Sequence, residues 1–319
     1  MDPVLTTPAV PTRPGPTVFQ PRPLVAGLLG LLCNGLGHVY AGRLLAGVLV
    51  HLAWLALQGG FVAALRIGPR PTAAAATVLL VWWIGQAILA ARLARATKPD
   101  ARRWASRPWA LVAVYLASVL ATTVVQVPFQ RWMPRTFHAP AGSMNPTVQN
   151  GDFIVMIPGQ PVRRGDVVIH GPAAGAARRD PLIKRVVAIG GDTIALRAGG
   201  LILNDVPVER TPSAGPCSYW NRGTDGSWEE VACIDAVERL DGRAYHTLCV
   251  PDEPCGEDAG PVQVPEGHVY VVGDNRPRSA DSRYYGPIPE LRVIGRAAWI
   301  YFSWGPSGPR WERIGRIIE

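Results

Sequence analysis

The sequence predicts an N-terminal α-helical membrane anchor of three or four spans, followed by a mostly-β extracytoplasmic domain of coiled antiparallel sheets. Three observations predict it: three charge-free apolar stretches in the first 130 residues, a change to short β-branched runs after about residue 140, and a charge split between the two parts. The chain of 319 residues is 48% hydrophobic and 18% charged, with a net charge of +8. That is too apolar for a disordered chain and too long for one small domain. Residues 1–130 carry eleven Lys and Arg against Asp2 and Asp100, whereas 131–319 carry 21 basic and 22 acidic side chains. The positive excess belongs to the first part, so the second lacks the basic face that nucleic acid requires.

Residues 1–23 hold seven prolines and no apolar run. They read as an extended, disordered lead-in rather than a signal peptide, which needs an apolar core. The anchor occupies 24–130. Leu44–Leu65, Thr72–Ala91 and Trp109–Phe129 contain no Lys, Arg, Asp or Glu. About 20 residues at 1.5 Å rise cross roughly 30 Å of hydrocarbon. Leu24–Leu36 is shorter and runs into Asn34-Gly35-Leu36-Gly37-His38, which leaves a re-entrant hairpin and a fourth span both open. His38 and His51 read as polar groups near an interface, since no second ligand set accompanies them. Between the second and third clear spans stand Arg92, Arg95, Lys98, Arg102, Arg103 and Arg107, opposed by Asp100 alone. Such a loop marks the cytoplasmic side. The last span then runs outward, with Trp109 and Trp132 near its two interfaces, and 131–319 lies outside the cytoplasm.

From about 140, turns separate short strands. Phe153–Ile157 follows Asn150-Gly151, and Val167–Ile169 follows Arg164-Gly165-Asp166. Leu182–Ile189 is a longer apolar strand interrupted by Lys184 and Arg185. Ile194–Arg197, Leu201–Leu203 and Val206–Val208 form a small hairpin set, and later runs are Val269–Val272 and Ala297–Phe302. Cys217, Cys233, Cys249 and Cys255 all fall in 210–260, the stretch that reads as a less regular insertion. An even set outside the cytoplasm suggests one or two disulfides, with three connectivities open. The spacing is not that of a zinc site, so no metal is expected.

No Gly-x-Ser-x-Gly elbow, His-Glu-x-x-His helix or phosphate loop is present. The chain has two lysines and thirty arginines, and Lys184 is the one lysine after residue 130. A buried ammonium can lose its proton near neutral pH whereas a guanidinium cannot, which makes Lys184 a general-base candidate. A nucleophile candidate, Ser143, lies between Gly142 and the Pro146 turn just after the last span.

The ordered set Ser143-Met144-x-Pro146-Thr147, Gly151-Asp152-x-Ile154, Arg164-Gly165-Asp166-Val167-Val168, Lys184-Arg185-Val186-Val187 and Gly273-Asp274-Asn275-Arg276-x-x-Ser279-x-Asp281-Ser282-Arg283 resembles the bacterial type I signal peptidases (leader peptidases). The resemblance covers roughly 140–305. It implies a serine–lysine dyad with Ser143 as nucleophile and Lys184 as base. It further implies that Ser279 orients the lysine amine and that Asp281 and Arg283 form a supporting ion pair. Gly273, Asp274 and Ser282 read as structural. Many Gram-negative members carry a serine two residues before the nucleophile that helps hold the oxyanion. Here that position is Ala141, which leaves the Ser143 backbone N–H and a second donor or water.

The implied substrate is an extended peptide lying beside Leu182–Lys184, with small residues of Ala-x-Ala type in shallow pockets near Met144, Val148, Leu182 and Ile183. Phe129, Trp132 and Met133 are expected to touch lipid. The resemblance thus implies a cofactor-free, monomeric enzyme in the cytoplasmic membrane, its partners being preproteins and the bilayer, not nucleic acid. Alternatives are an inactive peptidase-like receptor for exported chains, a self-cleaving serine–lysine protease, and a Ser143–His138 dyad.

Overall fold

A computed structural model describes residues 18–98, 100–101, 107–127, 130, 133–172, 180–223 and 225–319. Residues 1–17 of the proline-rich lead-in lie outside this set, as do Phe129 and Trp132. The chain divides into two compact units: Met1–Phe61 with Ala74–Pro128, and Val62–Ala73 with Phe129–Glu319.

The helices come first: α1 (Pro23–Leu32) and α2 (Leu36–Tyr40) precede α3 (Leu44–Ile67), α4 (Pro69–Ala96) and α5 (Pro108–Gln126). The last three contain 24, 28 and 19 residues, long and apolar enough to cross a membrane. Their Leu and Val side chains are largely exposed, as a lipid-facing helix requires. Prolines open α4 and α5, where a missing N–H costs nothing. The ambiguity at Leu24–Leu36 resolves against a crossing: α1 has ten residues, about 15 Å at 1.5 Å rise. The chain then turns at Gly35 into α2, all five residues of which are buried. A side-chain carbon at Gly37 would collide with the Ala26 carbonyl, so only glycine permits this return. The orphan carbonyl of Gly30, near the end of α1, accepts from Gln86 Nε2 at 2.7 Å.

In the second unit the strands are β1 (Arg135–His138), β2 (Asp152–Ile157), β3 (Val167–His170), β4 (Leu182–Ile189), β5 (Thr193–Arg197), β6 (Gly200–Leu203), β7 (Arg210–Pro212), β8 (Cys217–Arg222), β9 (Trp228–Leu240), β10 (Arg243–Cys249), β11 (Ala259–Gln263), β12 (His268–Val272), β13 (Ile288–Pro289) and β14 (Val293–Gly305). One antiparallel sheet runs β13-β12-β4-β3-β14-β2-β1 and curls into a half-barrel. A smaller four-stranded sheet joins β11, β5, β6 and the short strand Val206–Pro207. Strand β4 is covered on both faces, with Val186 in one apolar cluster and Val187 in another. That explains why its sequence is a continuous apolar run rather than an alternation.

Residues 210–260 correct the expectation of irregularity. Strands β7, β8 and β10 all pair with β9, a 13-residue strand, to make a regular ribbon. Its burial alternates with period two but shifts phase between Cys233 and Ala236, so the strand changes its covered face midway. Cys217 bonds to Cys233, and Cys249 to Cys255.

Candidate active site

The turn after β1 carries Ser143. It is held from both flanks, where Ala139 N donates to Asp152 O at 2.8 Å and Asn150 Nδ2 to Pro140 O at 2.9 Å. Lys184 is the third residue of β4. Its Nζ lies 2.7 Å from Ser143 Oγ and donates to the Ile183 carbonyl at 2.9 Å. Lys184 is 3% exposed. Burial pushes its pKa down to about 8; the carboxylates of Asp281 and Asp274 oppose that fall and Arg283 adds to it.

Asp281 and Arg283 form a buried bidentate pair, with Arg283 Nε and Nη2 each 2.8 Å from an Asp281 oxygen. Asp281 also accepts from Gly273 N at 2.9 Å, while Arg283 Nη2 donates to the carbonyls of Arg276 and Ser279. The pair fixes the Gly273–Arg283 loop behind the serine. Ser282 Oγ accepts from Val271 N at 3.0 Å and is structural.

Ser279 departs from expectation. Among the described residues its hydroxyl is buried without a hydrogen-bond partner, and Lys184 Nζ is held by Ser143 and by its own strand instead. The Ser279 side chain abuts Gly273, where a side-chain carbon would collide with Ser279 and with the Ser143 carbonyl. Gly273→Ala is therefore expected to displace Ser143 and lower kcat by about 100-fold. Steady-state kinetics alongside an unchanged circular dichroism spectrum would check it.

Arg185, next to the lysine but on the opposite face of β4, is a residue whose role sequence reasoning missed. It is fully buried, pairs both ways with Asp274 at 2.8 Å, and lies 3.8 Å over the Tyr245 ring. Asp274 in turn accepts from Thr147 Oγ1 at 2.6 Å, four residues after the serine. The signal was available: an arginine inside an apolar strand must find a buried partner. Asp152 similarly gathers Ser303, Arg310 and Arg313 of the C-terminal segment.

A cleft of about 320 Å³ opens beside Ser143 and Lys184, bounded by Phe137–Ala141 on one side and Asp180–Lys184 on the other. Met144, Val148, Leu182 and Ile183, the expected pocket residues, all line it. Strand β3 pairs with one edge of Leu182–Lys184, but β12 pairs only with Arg185–Ile189, so among the described residues no strand pairs with the other edge. His138 also lines the cleft, yet its ring packs on Phe153 at 4.7 Å and it makes no hydrogen bond to Ser143. Among the described residues no group of His, Cys, Asp or Glu is arranged to hold a metal ion.

The geometry agrees with known sequences. The family model for signal peptidase, peptidase S26, matches residues 106–304. Signal peptidase I of Pseudomonas fluorescens is 28% identical over 243 residues, covering 65% of this chain and 80% of that protein. Signal peptidase I of Leptolyngbya laminosa is 24% identical over 225 residues, covering 66% of this chain and 92% of that protein. The chloroplastic thylakoidal processing peptidase 1 of Arabidopsis thaliana is 26% identical over 216 residues, 64% of this chain, which spans about half of that longer protein.

Proposed function

The chain belongs to the S26 signal peptidase family, and on that premise we propose that it is a membrane-bound serine endopeptidase that removes N-terminal signal peptides from exported preproteins. The observation that carries this reading is the 2.7 Å approach of a buried lysine amine to a serine hydroxyl at the edge of a cleft. With the amine neutral, Ser143 O–H donates to its lone pair. As Oγ attacks the scissile carbonyl, Nζ takes the proton, then returns it to the departing amine nitrogen. Water repeats the sequence on the acyl-enzyme and frees Ser143. Both groups come from one chain, so a monomer suffices.

The open edge of Leu182–Lys184 suits an extended peptide added as a strand. Met144 and Val148, each 1% exposed, give the cleft an apolar lining that suits small apolar side chains. That supports a preference for Ala-x-Ala.

Loop charge supports an orientation. Arg92, Arg95, Lys98, Arg102, Arg103 and Arg107, around the connection between α4 and α5, mark the cytoplasmic face by their charge, and α5 then leads outward. The β domain is then on the outer face of the cytoplasmic membrane, where its two disulfides are chemically at home.

The test is cleavage of a purified preprotein by the full chain in detergent across pH. The base works only when deprotonated, so kcat/KM should rise with pH through an apparent pKa near 8 and then level off. Two neighbours bracket that range. Burial first, with Lys184 adding to it against the Gly171 carbonyl, pushes His170 down to about 4. Burial and Asp281, opposed by Arg283, push Tyr270 up to about 12. A flat profile between pH 6 and 10 would contradict a lysine base.

A further inference from the structure

The Ser143 backbone N–H donates to no group among the described residues, whereas the carbonyls on either side of it are both occupied. Gly142 O accepts from Asn275 Nδ2 at 3.0 Å and from Asn145 N at 3.1 Å. Ser143 O accepts from Asn275 N at 3.1 Å. Asn275 therefore grips the chain before and after the nucleophile with its side chain and its main chain. A carbonyl can only accept, so the amide atom facing Gly142 must be nitrogen. Its second hydrogen goes to Tyr219 Oη, 3.0 Å away. Asn275 is 1% and Tyr219 4% exposed.

The Gly142–Ser143 peptide is trans, so its N–H and C=O point in opposite directions. Ser143 lines the cleft, and neither Gly142 nor Asn275 does. Drawing the Gly142 carbonyl toward Asn275 thus turns the Ser143 N–H toward the cleft. Tyr219 stands on β8, two residues from the Cys217–Cys233 bond. The Asn275 main chain is bridged to Leu248, beside the Cys249–Cys255 bond, and Leu248 N donates to Asp274 O at 2.8 Å. The cysteine-stapled ribbon reaches the nucleophile by both routes.

We propose that Asn275, oriented by Tyr219, is a positioning residue that aims the Ser143 N–H at the substrate oxyanion, and that the β8–β10 ribbon is the rigid mount for this clamp. The inference rests on Ser143 being the nucleophile. With alanine at 141, no side-chain hydroxyl is available there, which places more of the oxyanion's stabilisation on this one backbone donor. Loss of a single oxyanion donor lowers kcat by about 10²–10³-fold in other hydrolases.

The experiment uses the full chain in detergent, a preprotein substrate, and a peptide aldehyde ending in alanine. The aldehyde carbon bonds to Ser143 Oγ, and its oxygen, gaining the hydroxyl proton, takes the oxyanion position. Asn275→Ala should lower kcat by about 100-fold with KM changed less than about two-fold, and Tyr219→Phe should lower kcat by about five- to ten-fold. Aldehyde affinity should fall by the same factor as kcat/KM, and the apparent pKa of the pH profile should not move. A merely structural role would leave aldehyde affinity out of step with kcat/KM. Wild-type kcat in Tyr219→Phe, or aldehyde affinity unchanged in a slowed variant, overturns the proposal. Should Asn275→Ala fail to fold, Tyr219→Phe, which removes one oxygen, decides by the same readouts. Cleavage by Ser143→Ala at the wild-type rate would instead overturn the nucleophile assignment, a separate and recognisable failure.

Discussion

Lys184→Arg should abolish processing, with kcat reduced by about 10³–10⁴-fold and the fold intact. Arginine keeps the positive charge, the long stem and the ability to donate toward Ser143 and Ile183, so the change isolates one property. A guanidinium cannot surrender its proton under any condition in which the protein is folded. Lysine can, because its site is 3% exposed and desolvation outweighs the pull of Asp281 and Asp274. Preprotein cleavage followed by gel or mass spectrometry gives the rate, and a thermal melt of each variant reports folding. The decisive comparison is the pH dependence: the arginine variant should stay inactive at pH 10, where any residual wild-type lysine is neutral. Activity within ten-fold of wild type would mean that some other group takes the serine proton.

The largest stability effect is expected at Asp274. Removing one member of a buried ion pair strands the other, and Asp274→Ala would leave the Arg185 guanidinium uncompensated inside the half-barrel. Such a change costs about 3–5 kcal/mol. The Gly165 carbonyl and a main-chain oxygen of Glu319, each 2.7 Å from Arg185 Nη1, and the Tyr245 ring would remain, but the two-pronged side-chain carboxylate contact would be lost. Activity should fall as well, since Asp274 also holds Thr147 and precedes Asn275. Thermal and urea unfolding of the full chain in detergent would measure the loss. The double variant Asp274→Ala with Arg185→Leu should recover much of it, because an apolar pair needs no compensation. A single-variant loss below 1 kcal/mol would show that solvent, not Asp274, neutralises Arg185.

Most of the anchor was legible without coordinates. Three charge-free stretches became α3, α4 and α5, since helix length and absence of charge are local properties that lipid reads directly. The β class and the limits of β4 were equally legible, because β-branched runs between turns are local too. Ser143 and Lys184 stood out through the ordered motifs and the scarcity of lysine. By contrast, the shape of 24–42 depended on the close approach of Gly37 to Ala26, which no periodicity encodes.

The sequence by itself determined which elements form and which two side chains could exchange a proton. Tertiary structure alone decided who meets whom: Ser279 lies against Gly273 rather than on the lysine, Arg185 finds Asp274 across 89 residues, and Asn275 reaches Gly142 across 133. The cysteine pairing and the regularity of the ribbon belong to the same class. The physical reason is that hydrogen bonds and ion pairs are satisfied within about 3 Å, a distance set by how the curled sheet closes. Local propensity specifies the strands, whereas only closure specifies which polar groups are shut in together.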